Sequence, residues 1–208
     1  VSQATFVARP RGRRPSSEGP ALDRDRLVRV LLDMARSGGI DALNIRSVAL
    51  ALCVSPRLIY NHVRDKEDML ALLTDEILRD RMPDLSATDW RTRLRNIAAA
   101  VQSAYRDYPG SAAFILSRSA NRLGQPNALR VRTAIFGALE EAGLDRHRQE
   151  EILVLFSVIV LGSVVVAESL PSDERDMAIA RARAEMAFGR GTDMLIQAIE
   201  LESIACPG

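Results

Sequence analysis

The sequence predicts an all-α protein: an N-terminal three-helix unit containing a helix-turn-helix, followed by a larger helical body. Three observations carry this. Apolar residues recur every three or four positions along nearly every segment, as one face of a helix requires. Capping residues (Asp, Asn, Ser) precede these stripes, and Gly or Pro ends them. Finally, two short stripes lie only three residues apart, at Leu52 and Ser55, which is the spacing of a helix-turn-helix.

The elements follow in order. Residues 8–21, "ARPRGRRPSSEGPA", are rich in Pro, Gly, Ser and Arg and predict a disordered basic arm over 1–21. Leu27, Val30, Leu31, Met34 and Ala35 mark the first helix, with Asp23 or Asp25 as cap and Gly38-Gly39 as stop. Asn44 caps a second helix carrying Ile45, Val48, Ala49 and Leu52. Ser55 and Pro56 begin a short third helix, and Asp65 caps a fourth carrying Met69, Leu70, Leu73 and Ile77. Further on, "TDWRTRLRNIAAAVQSAYRDYP" predicts a helix ended by Pro109, "GSAAFILSRSA" a shorter one, and "PNALRVRTAIFGALEEAG" one running from Pro126 to Gly143. The run "ILVLFSVIVLGSVVVA", Ile152 to Ala167, is apolar on all sides. Length favours a helix covered by neighbours over a buried strand. A last helix bears Met186, Phe188, Met194, Leu195, Ala198 and Ile199.

Composition narrows the chemistry. The 208 residues, 47% apolar and 26% charged, match an ordinary globular protein. Cys53 and Cys206 lie far apart without CxxC spacing, and the two histidines, His62 and His147, have no metal-ligand partners in sequence, so no metal and no cofactor is expected. Few cysteines and no apolar leader-like run at the start predict a cytoplasmic setting; the longest apolar run is shorter than the roughly 18–20 residues of a span, so no membrane partner is expected. No GxSxG, P-loop or GxGxxG occurs, and Glu140-Glu141 and Glu150-Glu151 are adjacent surface pairs, so no catalytic residue is assigned. The charge is uneven. Residues 1–66 hold twelve basic and six acidic residues, a net +6, against a net −5 for the remainder. A basic end on an acidic body predicts a polyanionic partner for that end.

The stretch "VSPRLIYNHVRDKEDML", residues 54–70, concentrates the polar chemistry. With Ile59 and Val63 turned inward, helical geometry leaves Arg57 and Asn61 on one outer face, beside Leu58, Tyr60 and His62. Lys66, the only lysine in the chain, stands at the start of the fourth helix, where the dipole disfavours a cation by about 0.3–1 kcal/mol. A bound phosphate reverses that penalty, since free N–H groups, dipole and ammonium then favour the same anion. The alternative is that Glu67 and Asp68 already offset Lys66 and that His62 packs on the surface.

Residues 39–78, "GIDALNIRSVALALCVSPRLIYNHVRDKEDMLALLTDEIL", resemble the DNA-binding domain of the tetracycline-repressor (TetR) family, most specifically in "IYNHVRDKEDML". "YPGSAAFIL" and "FGRGTDMLIQAIELE" resemble that family's effector and dimerisation domain more loosely. The resemblance implies a DNA-binding domain over 22–68 and a ligand-binding and dimerisation domain over 69–208. It implies base reading by Arg46, Arg57, Leu58 and Asn61, and phosphate contact by Asn44, Ser47, Tyr60, His62 and Lys66. Two positions depart from the family pattern. Cys53 stands at a turn position usually held by glycine, and Asn44 replaces a common threonine.

The expected function is that of a ligand-responsive transcriptional regulator, a repressor, binding a palindromic operator in double-stranded DNA as a homodimer. Val158, Gly162, Val166, Met194 and Ile199 are the candidate dimer contacts. A pocket for a small lipophilic effector would draw on Trp90, Tyr105, Phe114, Arg118, Asn121, Phe136 and Glu168, with Ile135 and Leu139 on the same helices. Two readings stay open beside it: a constitutive DNA-binding protein whose C-terminal helices only dimerise or bind a partner, and an α-helical enzyme.

Overall fold

Capping chemistry and apolar periodicity build nine α-helices among the residues that the computed structural model describes, 22–87, 89–118, 125–169 and 174–205. The basic arm, Asn121 and Cys206 lie outside the described residues. α1 (Arg24–Gly38) starts at Asp23, whose carboxylate accepts from the Arg26 amide at 2.6 Å, and stops at Gly39, where φ is +72°. A single 3-10 turn, Ile40–Ala42, leads to α2 (Ile45–Ala51). There Asn44 and Ser47 form a reciprocal capping box: the Ser47 amide donates to Asn44 Oδ1 at 2.9 Å, and the Asn44 amide donates to Ser47 Oγ at 3.0 Å. α3 (Pro56–Ile59) is a single helical turn with Pro56 at its start. Ser55 holds the N-cap position there without a side-chain hydrogen bond. α4 (Lys66–Asp80) is capped by Asp65, which accepts from the Asp68 amide at 2.8 Å.

The helix-turn-helix packs as the sequence predicts. Val48, Ala49, Leu52 and Ile59 are buried between the two helices, with Val54 half-buried beside them. Two long-range bonds pin this unit to α1. Arg26 donates to the Leu52 carbonyl at 2.9 Å, and His62 Nε2 lies 2.9 Å from the Leu22 carbonyl.

The body comprises α5 (Trp90–Arg106), α6 (Ser111–Ser117), α7 (Pro126–Glu141), α8 (Arg146–Glu168) and α9 (Glu174–Ala205). No strand occurs among the described residues. The apolar core falls into two clusters. One gathers α1 to α4 with Tyr105, Tyr108, Ala112, Ile115, Leu161 and Val164. The other lies among α5, α7, α8 and α9 around Leu94, Ile97, Leu139, Phe156 and Ile199. The first cluster crosses the expected boundary at 68/69, because α4 is buried on every side along Leu72 to Leu78.

Two carboxylates share that burial. Asp75 accepts from Asn127 Nδ2 at 2.8 Å, the Ala128 amide at 2.8 Å and the Asn127 amide at 3.3 Å, so α4 caps the first turn of α7. Glu76 is flanked by Arg24 of α1 at 3.0 Å and Arg79 at 2.8 Å. The Arg79 contact is an ion pair whose direction does not make a hydrogen bond, leaving Glu76 Oε2 without one. Buried charges persist when paired in this way.

α8 extends the apolar run into charged turns at its start, and its 23 residues are long and apolar enough, by length and composition, to cross a membrane. Here it packs against α5, α6, α7 and α9. Gly191 lets α9 approach closely, since a Cβ there would stand 3.4 Å from Ile159 Cγ2.

Candidate nucleic-acid interface and effector cavity

The helix-turn-helix turn is tight because Cys53 adopts φ +53°, the left-handed region that an L side chain enters at a cost of about 1–2 kcal/mol. That turn places α3 across α2 with Arg57, Tyr60 and Asn61 exposed and Ile59 and Val63 buried. Arg46 is exposed on the first turn of α2. Leu58 is half-buried and packs against the core, so only part of it reaches the outer face. The Asn44–Ser47 capping box engages Asn44 through Oδ1, and Ser47 Oγ also lies 3.2 Å from the Ala42 carbonyl. Lys66 is the first residue of α4 and is exposed.

Its surroundings are acidic as well as basic. The guanidinium of Arg64 donates to Asp68, as does the Arg64 amide at 2.9 Å, and the side-chain bond above all holds the Asp68 carboxyl below its ordinary range. Asp68 is therefore already engaged by Arg64, which leaves the exposed Lys66 to the solvent side. At His62 a carbonyl can only accept, so Nε2 carries the hydrogen and donates to Leu22. Its role in this geometry is to tie the end of α3 to the start of α1.

Behind the helix-turn-helix, five helices leave a cavity of about 170 Å³. Leu78 of α4 forms one wall, Val101 and Tyr105 of α5 and Ile115 of α6 a second. Ala128, Leu129, Val131, Arg132 and Ile135 of α7, and Leu153, Phe156, Ser157, Val160 and Leu161 of α8, complete it. Of the residues expected in a pocket, Tyr105 and Ile135 line this cavity. Trp90 instead sits in the second core cluster with Arg91 stacked at 4.4 Å. Phe114 packs half-buried against the first core cluster outside this cavity, and the exposed Arg118 lies 5.5 Å over its ring and pairs with Glu67 of α4. Phe136 lines an outer recess.

Glu168 accepts from the Gly110 amide at 3.1 Å, and burial pushes its carboxyl up against the opposing effect of that bond. It stands at a junction between body and helix-turn-helix unit. Ile40 donates its amide to the Pro109 carbonyl at 2.9 Å, and a Cβ on Gly110 would meet Ile40 Cγ1 at 3.0 Å. Gly110 also holds φ +84°. No side chain but hydrogen can be accommodated there without shifting the contact.

The candidate dimer residues divide. Val158, Val166 and Met194 are more than half exposed, in outward stripes with Val154 and Leu155 on α8 and Met186 and Leu201 on α9. Gly162 lies in the α8 stripe, with open space where its Cβ would be. Ile199, in contrast, is fully buried in the chain's own second core cluster, because α9 turns that face onto α5 and α8.

No family model matches the chain. An HTH-type transcriptional regulator of Saccharopolyspora erythraea is 29% identical over 184 residues, covering 88% of this chain and 76% of the relative. The tetracycline repressor protein class E of Escherichia coli is 25% identical over 192 residues, covering 84% and 89% respectively. A tetracycline-repressor variant from Acinetobacter baumannii, solved in complex with minocycline, superposes with a TM-score of 0.74 at 25% identity, over 88% of this chain and 98% of that one. BioQ, solved with its double-stranded DNA operator, shares the fold at a TM-score of 0.69 and 20% identity, over 86% and 98%.

A chain whose described residues are helical, with an exposed short helix behind a strained turn and a basic first third, has the build of a helix-turn-helix regulator of transcription. In sequence and in fold the chain is similar to transcriptional regulators of the tetracycline-repressor (TetR) family.

Proposed function

We propose that the chain is a homodimeric repressor that binds a palindromic operator and is released from it by a small, mainly apolar effector. The observation that carries this reading is the cavity's place in the fold. Leu78 of α4 is part of its wall, and α4 is the helix that begins at Lys66 beside the candidate recognition helix. A ligand that presses on α4 therefore acts on the element that positions α3.

In this reading Arg57 of α3, Asn61 in the turn after it and Arg46 on the first turn of α2 read base edges from the exposed side of the motif, with Leu58 contributing its exposed part. Asn44, Ser47, Tyr60 and Lys66 meet phosphates on either side. The outward apolar stripes of α8 and α9, including Val158, Gly162, Val166 and Met194, form the four-helix contact between two protomers. Support for DNA and ligand binding comes also from BioQ, solved on its operator, and the tetracycline-repressor variant, solved with minocycline.

Release requires that the effector bind the DNA-free conformation better than the DNA-bound one. Besides α4, the Ile40–Pro109 and Arg118–Glu67 contacts connect the body to the helix-turn-helix unit. The test is an operator-bound protein titrated with candidate effectors while dimerisation is followed in parallel. Dissociation of DNA from an intact dimer supports the proposal. If no compound that raises the thermal stability of the protein releases DNA, the constitutive reading replaces it.

A further inference from the structure

The cavity wall is apolar except for three polar side chains, and two of these are satisfied within the protein. Tyr105 donates its hydroxyl to the Thr74 carbonyl at 3.0 Å, and Ser157 donates to the Leu153 carbonyl at 2.8 Å. Arg132 is the third. It is half-buried, and among the described residues it has no carboxylate partner. Its guanidinium lies 5.1 Å from the centroid of the Phe136 ring.

On the outer side of the cavity, Leu129 and Arg132 also line a recess of about 340 Å³ with Thr133, Phe136 and Arg146. Arg146, at the start of α8, stacks on the same Phe136 ring at 4.1 Å. Its partner Glu150, 3.3 Å away, is more than half exposed and lines neither space. Two guanidiniums thus converge on one aromatic ring at the point where an apolar cavity meets its outer recess, and no acidic side chain lines either. Arg146 has Glu150 as counterion but Arg132 has none among the described residues, and a guanidinium in a partly desolvated wall binds a carboxylate through charge-assisted, often paired hydrogen bonds.

We infer that the cavity takes an amphipathic carboxylate, its hydrocarbon body among Leu78, Ile135, Phe156 and Leu161 and its carboxylate against Arg132, where the cavity opens toward Arg146. This rests on the reading of the cavity as the effector site and specifies the chemistry of what enters it. A cationic or purely hydrocarbon ligand of the same shape is disfavoured.

The experiment compares three probes of matched chain length, decanoate, decanol and decylammonium, by calorimetry on the full chain and on Arg132→Gln, Arg132→Lys and Ser157→Phe. Decanoate is expected to bind at least tenfold tighter than decanol, with no measurable binding of decylammonium. Arg132→Gln should erase the advantage of decanoate while leaving decanol unchanged, Arg132→Lys should keep part of it, and Ser157→Phe should block both by filling the cavity. Equal binding of acid and alcohol, or retention of the preference in Arg132→Gln, overturns the inference, as does failure of all three probes to bind. Arginine-dependent binding of decanoate without release of DNA supports the assigned ligand chemistry and counts against the effector reading alone.

Discussion

His62 donates from Nε2 to the carbonyl oxygen of Leu22 across 2.9 Å, joining the turn after α3 to the residue before the cap of α1. The bond accounts for a histidine in this position without any DNA. A hydrogen bond of this kind contributes about 0.5–1.5 kcal/mol. His62→Ala should therefore lower unfolding stability by about that amount. It should weaken operator binding, through loosening of the unit, with no change in the slope of log K against log salt. Denaturant unfolding paired with isotherms at several salt concentrations checks this, and unchanged stability with weakened DNA binding would return His62 to the phosphate backbone.

The turn at Cys53 holds left-handed backbone that glycine adopts freely. Cys53→Gly should stabilise the protein by about 0.5–1 kcal/mol, the strain relief of about 1–2 kcal/mol being offset in part by glycine's greater freedom in the unfolded chain. Chemical denaturation measures the difference; a loss of stability would mean that the cysteine side chain contributes packing beyond its exposed position.

Asp75 joins α4 to the first turn of α7 by three hydrogen bonds. Removing the carboxylate leaves buried donors unpaired, so Asp75→Ala should cost about 2–3 kcal/mol in unfolding free energy, from the desolvation of unsatisfied groups. Since α7 supplies much of the cavity wall, the same variant should blunt any ligand-induced release of DNA. Both can be read on one preparation, by denaturation and by fluorescence anisotropy of bound operator.

Ile199 and Val158 should respond in opposite ways. Ile199→Ala removes a side chain from the protomer's core and should destabilise it by about 2–5 kcal/mol. Val158→Asp places a charge in an outward apolar stripe and should split the dimer with little effect on the protomer's own packing. Sedimentation velocity combined with thermal unfolding separates the two, and a wild-type protein that sediments as a monomer at micromolar concentration would remove the proposed interface.

The parts of this molecule legible in the sequence are those whose chemistry is local. Asp23, Asn44 and Asp65 all cap helices through their own side chains, because a cap depends on residues only three positions away. The packing of Val48, Ala49, Leu52 and Ile59 is equally readable, being set by periodicity across one short turn. The cavity is not. Trp90, Phe114 and Phe136 advertise bulk, but which faces of five helices converge depends on their crossing angles, and the wall is largely aliphatic. Ile199 sits on a stripe that reads equally well as core or as subunit contact. The buried Asp75 and Glu76 did carry a signal: two adjacent acids inside "LALLTDEIL", where apolar residues surround the helix on every side.

In the proposed function α3 and the start of α4 recognise DNA, Arg57 by reading bases and Lys66 by phosphate contact. It is tested most directly by binding isotherms of the wild type, Arg57→Ala and Lys66→Ala on a duplex selected by the protein from random sequence and on a scrambled duplex, over a range of salt. Arg57→Ala should lose about 1–3 kcal/mol on the selected duplex alone. Lys66→Ala should weaken both duplexes alike and make the salt slope shallower by about one unit. Wild-type protein that does not distinguish the two duplexes, or variants that bind both as the wild type does, would contradict the account.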